Sequence, residues 1–252
     1  MTHSSENRTV VVIPARYGST RFPGKPLADI AGKPMIRRVY EAAARAANIQ
    51  EVAVATDDDR IARAVREFGG KAVMTSPNHR SGSDRVFEAV QTMDLAPEAV
   101  VVNVQGDQPL LDPASLDALV APFREDPGVE MATLAVPMSN PAEIANPANV
   151  KVVLDVRGDA LYFSRSPIPF DRDGTGTEPV LRHLGLYAYT RRFLEIFAGL
   201  PEGRLEAAEK LEQLRALEHG HRIRVATVEA MGPDVDLPED VAAVERILRK
   251  PF

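Results

Sequence analysis

The chain is expected to fold as α/β, a mostly parallel sheet flanked by helices with a smaller antiparallel lobe, and three observations lead there. Short apolar runs alternate with amphipathic stretches through the first half of the 252 residues. From about residue 130 the strand-like runs follow one another with only Pro- and Gly-containing turns between them, which suits antiparallel pairing. Hydrophobic residues at 44% and charged residues at 26% match a globular protein and argue against a disordered or membrane-embedded chain.

Taken in order, Val10–Ile13 reads as a strand and Met35–Ala47 as its helix, Val52–Thr56 as a strand and Arg60–Phe68 as its helix, and Val100–Val104 with Pro113–Phe123 as a third such pair. Val39, Tyr40 and Ala43 recur at helical spacing, as do Ile61, Val65 and Phe68, so both helices carry a face that covers a sheet. Strand-like runs follow at Met131–Val136, Val150–Asp155, Ala160–Phe163 and Leu184–Tyr189. Helices are expected over Arg191–Gly199 and Glu206–Glu218, then a strand at Arg222–Val228 and a last helix from Pro238. We read the chain as one domain: a first half over about residues 8–130, an inserted lobe over about 131–220, and a segment over about 221–252 that returns to the main sheet.

Charge and composition narrow the chemistry. Zero cysteines exclude disulfides, thiolate nucleophiles and sulfur-ligated metal. The apolar run at Val10–Ile13 is too short for a signal core or a span, so the expected address is the cytoplasm. A net charge of −6 disfavours nucleic acid as a partner, because that binding needs a broad cationic surface. Yet residues 8–45 hold eight Lys or Arg against two acids. A compact basic segment on an acidic chain suits a small polyanion such as a nucleoside triphosphate. Arg37, Arg38 and Arg45 are better read as a solvated helix face.

Parallel α/β sheets bind ligands beyond the carboxyl ends of their strands, so the loops there carry most weight. Pro14-Ala15-Arg16-Tyr17-Gly18-Ser19-Thr20-Arg21-Phe22-Pro23-Gly24-Lys25-Pro26 follows the first strand. It is close to a P-loop but fails it: five residues separate Gly18 from Gly24, and Pro26 stands where a hydroxyl would hold Mg²⁺. Gly18 permits close approach of phosphate oxygens, and Arg16, Arg21 and Lys25 can neutralise them. A metal accompanying those phosphates must then find carboxylates elsewhere. Asp107 ends the apolar strand Val100–Val104, and Asp236 lies between a strand and a helix; Asp236 also suits an N-cap of the helix at Pro238. The chain has no Gly-x-Ser-x-Gly, no His-Glu-x-x-His and no complete Gly-x-Gly-x-x-Gly, which argues against serine hydrolases, zincins and dinucleotide oxidoreductases.

Together with Ser81-Gly82-Ser83-Asp84-Arg85, Asn103-Val104-Gln105-Gly106-Asp107, Ala160-Leu161-Tyr162-Phe163-Ser164-Arg165, Arg182-His183-Leu184-Gly185, Leu211-Glu212-Gln213-Leu214-Arg215 and Val235-Asp236, the loop resembles the CMP-Kdo synthetase family, the 3-deoxy-manno-octulosonate cytidylyltransferases. The resemblance runs from about Val10 to Ile247. It implies a Rossmann-like fold of the nucleotide-diphospho-sugar transferase type, with the inserted lobe serving the sugar acid and dimerisation. It implies an Mg²⁺-dependent homodimer that joins CTP and Kdo into CMP-Kdo and pyrophosphate for lipopolysaccharide assembly. By motif match, Arg16, Ser19 and Lys25 hold the triphosphate, and Ser81 and Arg85 lie near the nucleotide. Asp107 and Asp236 hold metal, and Gln105, His183, Tyr187, Glu212 and Gln213 line the sugar-acid pocket. Arg16, Lys25 and Asp107 carry the chemistry.

One departure bears on the sugar. Gly203-Arg204 precedes Leu205-Glu206 where many members have proline, and this segment, with Tyr187–Phe193, also resembles a branch acting on 8-amino-8-deoxy-Kdo. A sugar-1-phosphate nucleotidyltransferase and a nucleotide-binding protein without transfer activity are the remaining alternatives.

Overall fold

The computed structural model describes residues 8–18, 21–79, 81–174, 176 and 179–249. Two units emerge: residues 1–117 with 231–252, and residues 118–230.

The first unit begins with β1 (Thr9–Ala15), in which Val10, Val11, Val12 and Ile13 are all fully buried. A strand apolar on both faces is what a parallel sheet covered on both sides requires. A two-residue hairpin, β2 (Asp29–Ile30) and β3 (Lys33–Pro34), leads into α1 (Met35–Ala43). Then come β4 (Glu51–Thr56), α2 (Asp59–Glu67), β5 (Lys71–Met74), α3 (Gly82–Gln91), β6 (Val100–Asn103) and α4 (Pro113–Val120). β1 pairs in parallel with β6 on one side and β4 on the other, and β4 carries β5. The expected parallel sheet is present, with one strand (β5) and one helix (α3) beyond those expected.

The second unit holds α5 (Pro122–Glu125), β7 (Met131–Met138), α6 (Pro141–Ala145), β8 (Lys151–Leu154), β9 (Ala160–Ser164) and β10 (Val180–Thr190). It continues through α7 (Arg191–Gly199), α8 (Arg204–Glu209), α9 (Leu214–Glu218) and β11 (Arg224–Thr227). β7, β10, β8 and β9 form successive antiparallel pairs, while β11 lies parallel to β7. The strand near the carboxyl end thus belongs to this unit. Two expected helices are each divided: 113–123 at Ala121–Pro122, and 206–218 at Lys210, which adopts a left-handed conformation with φ 54°.

The chain re-enters the first unit and ends in α10 (Pro238–Leu248). Val235 and Val244 are fully buried with Ile30 and Met35, flanked by Phe22, Leu110, Val241 and Leu248. This small apolar core fixes the segment carrying Asp236 beside the hairpin and the loop after β1. Among the described residues no helix is long and apolar enough to cross a membrane.

Candidate active site

A cavity of about 250 Å³ opens at the carboxyl ends of β1 and β6, on the scale of a small polar ligand rather than a trapped water. Every described residue lining it belongs to the first unit, including Arg16, Arg21, Lys25, Asp107 and Asp236. Lys25 comes directly after Gly24, whose left-handed φ of 72° turns the loop into a short 3₁₀ segment, Lys25–Leu27. Its ammonium donates to Asp107 Oδ2 at 2.8 Å and lies 3.5 Å from Asp236 Oδ1. Arg21 Nη2 donates to the same Asp236 oxygen at 3.0 Å. Asp236 is not a helix cap: Asp240 Oδ2 accepts the backbone N–H groups of both Asp236 and Leu237 at 2.8 Å, leaving the Asp236 carboxylate to the cations.

Of the eight early cations, Arg16, Arg21 and Lys25 line the cavity. Lys33 and Arg37 pair with Glu41, while Arg38 donates to the carbonyls of Ile30 and Ala31, as a helix face bound to its own scaffold. Two carboxylates facing one ammonium are a donor set that fits a hard divalent cation, which takes oxygen ligands and commonly fills its remaining positions from substrate phosphates and water. Among the described residues no cluster of three or more His, Cys, Asp or Glu forms a metal cage.

The far wall comes from α3. Ser81 is its N-cap: Ser81 Oγ accepts the Asp84 N–H at 3.1 Å, and Asp84 Oδ2 accepts the Ser81 N–H at 3.3 Å. Arg85, 4% exposed, lines the cavity with its guanidinium tied to Thr75 Oγ1 at 2.6 Å and Asp57 at 3.1 Å. Gln105 also lines it and donates to Asn103 Oδ1 at 3.2 Å. His79 is a wall residue that sequence reasoning missed. Its Nε2 is bonded to Glu88, which also accepts the Ser76 N–H and whose carboxyl is held below its usual range chiefly by the imidazole. Residues 81, 84, 85 and 88 share one helical face, so the Ser-x-x-Asp box was the signal that could have led to His79. Ser19 lies outside the described residues.

The remaining predicted residues gather in the second unit. Between Leu184 and Tyr187 the β10–β7 register shifts, leaving Tyr187 opposite Thr133. The Thr133 hydroxyl donates to the Leu186 carbonyl at 2.7 Å, so its oxygen accepts from His183 Nε2 at 2.9 Å. His183 packs edge-on to Phe163 and beside Tyr187, and burial pushes its pKa down to about 3. Tyr187 donates to Gln213 Oε1 at 3.0 Å. Its phenol is pushed up, first by burial and then by the charge of Glu212. Gln213 is 3% exposed, and its Nε2 has no protein partner among the described residues. A buried amide donor left unmatched is costly unless a ligand accepts from it.

The family model described as cytidylyltransferase matches residues 10–223. The chain is 58% identical to a 3-deoxy-manno-octulosonate cytidylyltransferase of Desulfatibacillum aliphaticivorans, over 96% of this chain and 99% of that protein. It is 55% identical to an 8-amino-3,8-dideoxy-manno-octulosonate cytidylyltransferase of Shewanella baltica, over 94% and 97%. A solved CMP:2-keto-3-deoxy-manno-octonic acid synthetase complexed with CTP superposes with a TM-score of 0.91 at 48% identity, covering 96% of this chain and 98% of that one. A 4-diphosphocytidyl-2C-methyl-D-erythritol synthase from Anaerococcus prevotii, 14% identical with a TM-score of 0.63, shares the fold alone. With a model matched along most of its length and relatives more than half identical almost end to end, the chain belongs to the cytidylyltransferase family.

Proposed function

We propose that this protein transfers the cytidylyl group of CTP to 3-deoxy-manno-octulosonate, giving CMP-Kdo and pyrophosphate. The observation that carries the reading is the convergence of Lys25 on Asp107 and Asp236 beside Arg16 and Arg21: cations for phosphates and carboxylates for a metal in one cavity. In the reaction the C2 hydroxyl oxygen of the sugar acid forms a bond to the α-phosphorus. The bond from that phosphorus to the bridging oxygen breaks, pyrophosphate leaves, and the hydroxyl proton passes to solvent. Arg16 and Lys25 hold the triphosphate and neutralise the charge that grows on the leaving group.

Asp107 and Asp236 would hold Mg²⁺. The chemistry that ion supplies when bound is withdrawal of charge from phosphoryl oxygens and a lowered pKa for a coordinated hydroxyl. Ser19, Ser81 and Arg85 are assigned to the nucleotide, and Gln105, His183, Tyr187, Glu212 and Gln213 to sugar-acid recognition, the unmatched Gln213 donor being the strongest support for the last group. The first unit serves the nucleotide and contributes Gln105, and the second serves the sugar acid and dimer contacts. Val156, Leu161 and Phe170, large and exposed in the second unit, support a homodimer. The address proposed is the cytoplasm, where nucleoside triphosphates are supplied.

Pyrophosphate release from CTP that requires added Kdo tests the reading; turnover of a sugar 1-phosphate instead, or CTP binding without turnover, overturns it. A second substrate, 8-amino-8-deoxy-Kdo, is favoured by the 55% identity to enzymes named for it. The ratio of kcat/KM for the two sugar acids decides between them.

A further inference from the structure

We propose that Arg60 is a positioning residue for the phosphate-binding loop: stacked on Tyr17, it holds the neck of that loop closed and so keeps Arg16 and Lys25 in place for a triphosphate. Neither Arg60 nor Tyr17 lines the cavity, so any influence they have on a ligand passes through the residues beside them.

The neck is the pair Tyr17 and Gly24, joined by a backbone bond in which Gly24 N–H donates to Tyr17 O at 3.0 Å. Arg16 and Lys25 are the residues immediately outside that pair. On one side of the neck the Tyr17 ring lies over Gly24 so closely that an added Cβ would come 3.1 Å from Cζ and Oη. The Arg60 guanidinium carbon sits 3.3 Å from the centroid of the same ring.

Arg60 is itself held. Asp58 Oδ1 accepts from both its backbone N–H and Nε at 2.9 Å, and Oδ2 accepts from Nη2 at 2.6 Å. Asp58 caps α2 just beyond β4, with its own N–H donated to the buried Thr56 hydroxyl at 3.2 Å, so the clamp is rooted in the sheet. The Arg60 side chain is 57% exposed, and an ion pair so open to water adds little to global stability. What the fork-on-fork geometry does fix is the plane of the guanidinium, and that plane is what stacking on an aromatic ring needs.

The test compares Arg60→Ala and Tyr17→Leu, which remove the stack, with Tyr17→Phe, which keeps the ring. In the nucleotide-free protein, hydrogen exchange at the Gly24 amide should quicken about two- to fivefold in the first two, the size of an exposed cation–aromatic contact, and stay at the wild-type rate in Tyr17→Phe. The double variant Arg60→Ala/Tyr17→Leu should be no faster than the faster single one. A further arm rests on the cytidylyltransferase reading: KM for CTP should rise by about the same factor while kcat and KM for the sugar acid hold. Unchanged Gly24 protection in Arg60→Ala overturns the inference, as does a fall in Tm without any change at Gly24. Because exchange is measured without nucleotide, a wild-type protein that ignores CTP would sink the enzymatic reading and leave quickened exchange as support for the clamp.

Discussion

Lys25 and Asp107 are 82 residues apart in the chain and 2.8 Å apart in space, and the same ammonium lies 3.5 Å from Asp236, 211 residues from Lys25. Three distant segments thus meet on one positive charge. The Lys25 side chain is 13% exposed and Asp236 51%, so Asp107 is the inner partner and Asp236 the outer one. On the proposed function, a triphosphate that took Lys25 would leave both carboxylates in need of another cation, which a divalent ion brought by the nucleotide would supply.

Asp107→Asn keeps the shape of the inner partner and removes its charge. The expected outcome is a kcat lower by roughly 10² or more at saturating CTP, sugar acid and Mg²⁺, the loss typical of deleting one preorganised charge stabiliser. Pyrophosphate release measures it. Turnover within a few-fold of wild type would remove Asp107 from the chemistry.

The two glycines of the loop after β1 should respond differently to alanine. Gly24 has φ 72° and an added Cβ would press on the Tyr17 ring, so Gly24→Ala is expected to cost about 1–3 kcal/mol and to weaken CTP binding through Lys25. At Gly18 an added Cβ meets nothing within 4 Å and the backbone is not left-handed. Gly18→Ala should melt like wild type, and a raised KM for CTP in that variant would locate the close approach of phosphate at Gly18. Equal thermal stability of Gly24→Ala and wild type would contradict the assignment.

Legibility in the sequence followed the range of the forces involved. β1 was plain because four consecutive buried apolar residues have no other use, and α7 matched at both ends because Thr190 Oγ1 accepts the Phe193 N–H at 3.1 Å as a local cap. The break between α8 and α9 was invisible because its partner is remote: Arg165 Nε donates to the Glu209 carbonyl at 2.7 Å and Nη2 to that of Lys210 at 3.5 Å. α3 is readable from its capping box, Ser81 with Asp84, although no alternating apolar run announces it. In the site, the cationic loop and the strand-end Asp107 were legible locally. That Asp236 would face Lys25 instead of capping α10 depended on the cap position falling at Leu237, one residue later, with Asp240 reaching back to the N–H groups of Asp236 and Leu237, a choice that spacing does not decide.

His183 makes stability depend on pH in a definite direction. Its pKa is about 3 in the folded chain against about 6.5 in an unfolded one, so between those values the unfolded chain binds the extra proton. The stabilisation is complete above about pH 6.5 and is lost as pH falls toward 3, with a slope of at most ~1.4 kcal/mol per unit. Wild type should therefore lose stability relative to His183→Gln as denaturation is followed from pH 7 to pH 4.5. Carboxylates held low in both proteins, such as Asp126 and Asp155, cancel in the difference. Parallel curves for the two proteins would show that His183 does not stay neutral in the fold.

Gly203 leaves room for a carboxylate from another helix. Glu218 of α9 reaches the amino end of α8, where its carboxyl is held low by the backbone N–H of Leu205 first, then those of Glu206 and Arg204, with Glu206 N at 3.2 Å. A Cβ at position 203 would fall 1.9 Å from Glu218 Oε2. Gly203→Ala must expel that carboxylate, and α8 then loses the acceptor of its first N–H groups. The consequence extends along the helix, because Glu206 holds Arg215 through bonds of 2.8 and 2.5 Å and Glu209 holds Ser164 Oγ at 2.7 Å. Thermal melts at pH 7 should place Gly203→Ala about 2–4 °C below wild type, the shift expected in a chain of this size when one helix cap is lost. Glu218→Gln should fall between the two, since the amide still accepts but carries no charge. The double variant should melt no lower than Gly203→Ala alone, because the group that Glu218→Gln weakens has already been displaced; strictly additive losses would mean that the two residues act independently.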